Sequence, residues 1–534
     1  MAAAGTWHSL SGIKCGEARD PLTGGAATVL SRGRPMVNVH RSSRAGSLAV
    51  AILCLTGCAV GPDYRPPAVP VPDVYKESVG WQPAQANPQG SLSSTWWLEF
   101  HDDELTALIE RALRANQSLI AAEAAYRLAQ ASVSASAAAL YPTVSASAAA
   151  TRAGYGSAAA AATNAAPGVY HYVTAGVSAS WELDLWGKTR RQLESSRALA
   201  QASDAQRAGQ RLSIAASLAS DYFALRQADA DIELLDQQQR VYGELLAVAQ
   251  AAYAAGGASG DDVLIAQDSL EAVIAALQAT RTQREQYEHA VAVLVGVTPS
   301  GFTVEPRTDY AFVTPALPLS LPSQLLERRY DVVIAERQAA AANAQIGAAE
   351  AAYFPTLDLA AQDEYVHNQF AHLFSLPNRF WTLGPDLAAT LFDGGARRAA
   401  VREAQARSDE AVATYRQTVL TAFQNVEDAL SAWNHLQQQT AAYTHIYQHN
   451  QQLFDSTRAQ RELGTASEEN LLGEQLTLLS ARQSLLDSQA ALTQGSVALI
   501  RNLGGGWRWD GSQGTSAATT PSAGAASPAE HAAP

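Results

Sequence analysis

Cys58 is the residue whose chemistry is easiest to name. It closes Leu55-Thr56-Gly57-Cys58, directly after the uncharged stretch 45–57, with Arg41 and Arg44 upstream. A basic flank, a short apolar run and small residues at a processing position follow the order of a secretory signal. The run is too short to cross a bilayer, which takes about 20 apolar residues. A cysteine at its end resembles a bacterial lipobox, in which the thiol is acylated and cleavage leaves Cys58 as the first residue. Residues 36–57 are therefore expected to be a lipoprotein signal peptide and Cys58 a lipidation site. Met36 and the Val-Asn-Val-His-Arg-Ser-Ser-Arg behind it make an ordinary basic leader, so residues 1–35 are expected to be a non-native extension.

The other candidates are acids placed where long helical patterns break. Gly256 is followed by Asp261 and Asp262; Gly464 is followed by Glu468, Glu469 and Glu474, with Asn470 at the position of Asp262. Acids near helix N-termini complement the helix dipole. Repeated by three-fold symmetry, they would also form a ring that favours cations. No catalytic constellation is visible, and no enzyme activity is expected. His445 and His449 stand four apart on one helical pattern with His435, but no HExxH motif or cysteine accompanies them. There is no G-x-S-x-G elbow and no Walker loop, and Gly504-Gly505-Gly506 reads as a helix stop. Beyond the covalent lipid on Cys58, no cofactor or metal is expected.

Composition narrows the setting. Of the three cysteines, Cys15, Cys54 and Cys58, the signal leaves only Cys58 in the mature chain, so no disulfide can staple it. A net charge of -14 argues against a nucleic-acid partner. The abundance of Ala, Gln, Leu, Glu and Arg favours helix. No stretch after Cys58 reads as a transmembrane helix, so any membrane passage would be a β-barrel.

The elements that must position these residues occur twice. Tyr141-Pro142-Thr143 matches Phe354-Pro355-Thr356, each ending an Ala-rich helix and opening an alternating stretch. Leu185-Trp186-Gly187-Lys188-Thr189-Arg190 matches the segment from Leu391 to Arg397, each returning the chain to helix, and Gly256 matches Gly464. Each half reads as helix, strand, strand, long helix, turn, long helix. The strands are expected at about 143–152 and 169–183, then 355–364 and 380–392. Alternation of Val173, Ala175, Val177, Ala179 and Trp181 with polar residues marks a sheet with one apolar and one wet face. Four strands cannot close a barrel alone. In 209–252, Ile214, Leu218, Tyr222, Leu225, Ile232, Leu235, Tyr242, Leu245 and Val248 recur at three and four, a narrow stripe suited to coiled-coil packing. Trp96 and Trp97 precede a helix and are expected to pack rather than to contact substrate.

Six strings in order resemble the TolC-type outer-membrane efflux proteins, most closely their NodT/OprM-like lipoprotein branch. They are the segments beginning at Cys58, at Trp96-Trp97, at 180–198, 325–359 and 390–406, and the terminal Leu503-Gly-Gly-Gly-Trp507. One departure stands out: the family usually has proline after the paired arginines, where Tyr330 follows Arg328-Arg329, and this is expected to loosen a helix start without changing the fold. The resemblance implies a mainly α fold with a β-barrel, internally duplicated. Long antiparallel helices would form an α-barrel tunnel, and four transmembrane strands per chain would close as a 12-stranded barrel in a homotrimer. It divides the chain into a lipidated segment 58–100, a first repeat 101–297, a Pro-rich junction 298–322, a second repeat 323–510 and a disordered tail 511–534. It implies the outer-membrane exit duct of a tripartite efflux system, passing small toxic compounds from an inner-membrane resistance-nodulation-division pump and a periplasmic adaptor. Cys58 would be anchored in outer-membrane lipid, Ala59 after it favouring outer-membrane delivery. The acids Asp261, Asp262, Glu468, Glu469 and Glu474 would then lie at the periplasmic tip as a candidate gate. Alternatives are the same duct serving protein secretion, or a periplasmic helical scaffold lipoprotein.

Overall fold

The computed structural model describes residues 59–77, 94–162, 166–316 and 328–507, all within the unit Gly57–Pro534. The expectations for 1–35, 36–57, Cys58, the end of the junction at 317–322 and the tail 511–534 lie outside the described residues.

The first half contains α1 (Asp103–Ala115), α2 (Gln117–Ala138), β1 (Thr143–Tyr155), the short α3 (Ser157–Ala162), β2 (Gly168–Glu182), α4 (Lys188–Ala254) and α5 (Gly260–Val295). The second contains α6 (Tyr330–Ala351), β3 (Thr356–His367), β4 (Arg379–Ala388), α7 (Ala396–Glu462) and α8 (Glu468–Asn502). Local chemistry sets the breaks. Asp102 and Asn116 each accept two backbone N–H bonds and start α1 and α2. Gly187 and Gly395, both at positive φ, precede α4 and α7, which are 67 residues each, about 100 Å at 1.5 Å per residue.

The strands form one antiparallel sheet in the order β1-β2-β3-β4. Their bounds differ from the alternation reading. β1 continues to Tyr155, and β3 to His367, because each still has a partner strand opposite. β4 stops at Ala388 rather than 392: Ala388 pairs with Thr356, the first residue of β3, and nothing remains for Leu391 or Phe392 to pair with.

The main core gathers where the short helices meet the long ones. Leu105 and Ile109 of α1, Leu218 and Tyr222 of α4, Val295 of α5, Val419 and Leu430 of α7 and Leu499 of α8 are fully or almost fully buried. Trp96 and Trp97 join it edge-on at 5.8 Å, so both pack as expected. The apolar stripe of α4 needs correction in its distal half. There Tyr242, Leu245 and Val248 are only half-buried, while Leu234 and Val241 are buried against Leu472 and Leu479 of α8. Both pairs are spaced by seven, the period of a coiled-coil seam, and a 3.6-residue helix drifts off any stripe extended from its other end.

Two further differences follow. By length and composition α5 is apolar enough to cross a membrane, contrary to expectation. Its Val, Leu, Ile and Ala residues supply the apolar character, and the helix packs along α4. At the missing proline, α6 nonetheless starts at Tyr330, with Arg329 as its N-cap residue and a two-bond Arg329–Asp331 contact beside it. The Tyr330 ring occupies the space that a Cβ on Gly209 would need, so the tyrosine is part of the α4–α6 packing.

Candidate functional site

Two turns join the long helices, and they are built alike. After α4, Gly256 takes φ +76°, and Ser259 caps α5 by accepting from Asp262 N at 3.2 Å. Asp262 returns the contact, accepting from Ser259 N at 2.8 Å and from its hydroxyl at 2.9 Å. This is a reciprocal capping box. After α7, Gly464 takes φ +77° and Ser467 accepts from Asn470 N at 3.1 Å. Asp262 and Asn470 therefore hold equivalent positions, as their spacing from the glycines implied. The Ser259 N–H and hydroxyl hold the Asp262 carboxyl below the usual carboxylate range. Glu468 is ion-paired to Arg461 at 2.7 Å across its turn. Asp261 and Glu469 are exposed without an ion-pair partner among the described residues, and Glu474 is half-buried farther along α8.

The sheet has one mainly apolar face and one mainly polar face. Register aligns Val144, Ala146 and Ala148 with Ala179, Val177 and Ala175, these with Ala361, Asp363 and Tyr365, and those with Leu383, Trp381 and Arg379. The opposite face carries Ser145, Ser178, Gln362 and Thr382 in one row. Near the helices the same wet face brings Glu182, Asp358 and Asp386 into one row. Among the described residues, β1 and β4 are left as open edges. Trp181 Nε1 donates to Leu140 O at 2.9 Å, and Trp186 Nε1 to Pro355 O at 2.8 Å, tying the strand ends to the helices that precede them.

The largest polar constellation was not foreseen. Arg226 is fully buried on α4 and donates to Glu104 (2.5 Å), Asp229 (2.9 Å) and Glu305 O (2.7 Å). Arg284 of α5 donates to Asp229 (2.7 Å) and Val304 O (2.7 Å). Tyr222 and Tyr310 both donate to Asp102. The stretch 304–310 of the Pro-rich junction is thus pinned, not a loose linker. The sequence shows only part of it: Arg226 and Asp229 lie at i, i+3 close behind Tyr222, Phe223 and Leu225, where an uncompensated charge would be costly.

The chain after Cys58 is also held. Val60 N donates to Trp186 O at 3.0 Å, and Arg191 donates to Val60 O, Gly61 O and Asp63. Gly61 lies so close to Gly347 of α6 that a Cβ would come within 2.3 Å of its Cα. Farther on, Lys76 N and Glu77 N donate to the Glu427 carboxylate of α7. His435, His445 and His449 are exposed on α7, and no group of three or more metal-ligating side chains occurs among the described residues.

The geometry, an open four-stranded sheet on long paired helices, has clear relatives. The family model described as outer membrane efflux protein matches residues 108–297 and 321–505. The toluene efflux pump outer membrane protein TtgC of Pseudomonas putida is 30% identical over 475 residues, 86% of this chain and 95% of that protein. The pyoverdine export outer membrane protein OpmQ of Pseudomonas aeruginosa is 32% identical, over 87% of this chain and 97% of that protein. The solved outer-membrane channel OprN aligns with a TM-score of 0.74 at 30% identity, over 84% of this chain and 99% of that one. A family match on both halves, near-complete coverage of relatives and a shared channel fold lead to one conclusion: the chain belongs to the outer membrane efflux protein family and is an outer-membrane exit duct for efflux.

Proposed function

We propose that three copies of this chain form the duct, each lending its four strands to a twelve-stranded barrel and its long helices to a periplasmic tunnel. The open sheet carries this reading. An amphipathic sheet with two unpaired edges, 13 and 10 residues long, is an aggregation hazard unless the edges are closed. Pairing β1 of one copy with β4 of the next removes every edge, turns the apolar face to lipid and encloses the wet face. Apart from α1 and the short α3, the two halves share element order, and their long helices match at 67 and 67 residues and at 36 and 35, consistent with an internal duplication. An adaptor and a resistance-nodulation-division pump would feed the tunnel. By analogy with relatives named for toluene efflux and pyoverdine export, the cargo is small organic compounds.

At the helical turns, Asp261, Asp262, Glu468, Glu469 and Glu474 form the candidate gate, Asp262 being the strongest because it is ionised and repeated by symmetry. The purified chain should run as a heat-resistant trimer and conduct in planar bilayers. Asp262→Ala should raise single-channel conductance; a soluble monomer would refute the duct assembly, and unchanged conductance and cation selectivity would refute the gate.

Cys58 is proposed as the lipidated residue. Ala59 lies against Gly187 and Val60 bonds Trp186 O, at the point where β2 passes into α4. A lipid on the preceding residue would thus start at the periplasmic rim of the barrel. Cys58→Ser should accumulate unprocessed precursor without acyl label; normal labelling of that variant would disprove the assignment.

A further inference from the structure

At the loop end of the sheet, the apolar face changes character. Arg152 of β1 stands opposite His171 of β2, and His171 is two residues before Val173, the partner of His367 in β3. Strand alternation puts all three on the same face as Val177 and Leu383. Direct cross-strand neighbours have Cβ atoms about 5 Å apart and diagonal ones about 7–8 Å. Arg152 and His171 are direct neighbours and His171 and His367 diagonal ones, so the three form a chain across β1, β2 and β3, with His367 Nδ1 already bonded to Gln369. His372, from the β3–β4 connection, sets its ring edge-on to His367 at 6.2 Å.

Four of the five acids in the strands, Glu182, Asp358, Glu364 and Asp386, lie on the wet face, and the fifth, Asp363, lies on the apolar one. Arg152 and Arg379 are the two lysine-or-arginine cations of the four strands, and both lie on the apolar face. Arg379 is already neutralised by Asp363 through two bonds of 2.8 Å. Arg152 is exposed and has no hydrogen-bond or ion-pair partner among the described residues. Tyr365 and Trp381 stand in the adjoining rows, the aromatic girdle of a membrane interface. Directly below Arg152 and His171, the face is Ala150, Val173, Ala148 and Ala175. A free anion would gain nothing from that surface, whereas acyl chains would lie along it.

We propose that Arg152, His171 and His367 bind the phosphate of an outer-leaflet lipid whose acyl chains run down the alanine and valine rows of β1 and β2. This rests on the barrel reading above, which puts the strand connections at the outer surface. The guanidinium offers paired donors that match a phosphate. The site would hold a shell of structural lipid on each copy, outside the conducting path.

The test uses delipidated full-length trimer in detergent and native mass spectrometry. The probes are lipid A carrying its phosphates and the same lipid after phosphatase treatment. The phosphorylated form should bind at least about tenfold more tightly, the effect of one charge-assisted contact. Arg152→Ala combined with His171→Ala should abolish that preference, and Arg152→Lys should keep most of it. Equal binding of the two lipids to the unmodified trimer, or an undiminished preference in the double variant, overturns the site. A heat-resistance assay on the same preparation separates the two readings. An intact trimer without phosphate preference rejects the lipid site alone, and absence of any trimer rejects both.

Discussion

Replacing Arg226 with methionine is expected to destabilise the protein by about 3–5 kcal/mol, the loss typical when one member of a buried charge network is removed. The side chain is fully buried, and its three partners come from α1, α4 and the junction. Methionine fills much of the volume but leaves Glu104 without its cation and Glu305 O without a donor. A second substitution cannot make the site apolar, because Asp229 also accepts from Arg284 and from Arg307 N. Removing Asp229 would strand Arg284 in turn. The expected readout is a lower denaturation midpoint together with faster proteolysis within 302–316, since the junction loses one of its two arginine anchors. Arg407, paired to Glu403 on an exposed face, is the control: its alanine variant should melt like the parent, as exposed pairs contribute little. An Arg226→Met protein with parental midpoint and parental junction cleavage would disprove the clamp.

Asp231→Asn is expected to stabilise the protein at pH 8 and to do much less at pH 4. Asp231 lies on α4, and its Oδ1 is buried with no hydrogen-bond partner among the described residues. Burial, then the Asp487 carboxylate of α8, push its carboxyl up to about 7. Asp487 is itself raised by burial and accepts from Gln227 at 2.7 Å. The sign follows from proton binding. Between about pH 4 and 7 the folded protein holds a proton that the unfolded chain has released, so stability falls as pH rises through that window. Above about 7 the penalty is complete. Three pH units correspond to about 4 kcal/mol, and partial solvent contact halves that to about 2 kcal/mol. Unfolding midpoints of the parent and Asp231→Asn should therefore diverge from pH 4 to pH 8. Parallel midpoints across that range would show that the carboxylate is not strained.

Much of the fold was legible because its signals are local. Gly256 and Gly464 break helices at matched places because positive φ is cheap only for glycine. Val173 to Trp181 alternate because a pleated strand points successive side chains to opposite faces. Asp262 and Asn470 each stand six residues after their glycine, a spacing readable without the fold, and each lies three residues after a capping serine, within one helical turn. The end of β4 was misjudged because alternation persists after the partner strand has run out. The seam at Leu234 and Val241 was missed because helical drift accumulates over 67 residues.

The sequence by itself determined the order of elements, the repeated turns, the faces of the strands and the membership of its two halves in one kind of channel protein. Tertiary structure alone decided which groups meet. Arg226 finds Glu104 across 122 positions and Gln227 finds Asp487 across 260, and no periodicity encodes such pairings. The same holds for Arg152 and His171. They lie on different strands, and only the register of β1 against β2 makes them neighbours. The physical reason is range: dihedral preferences and caps act within a few residues. Burial energies, ion pairing and strand register depend on which distant surfaces the folded chain presses together.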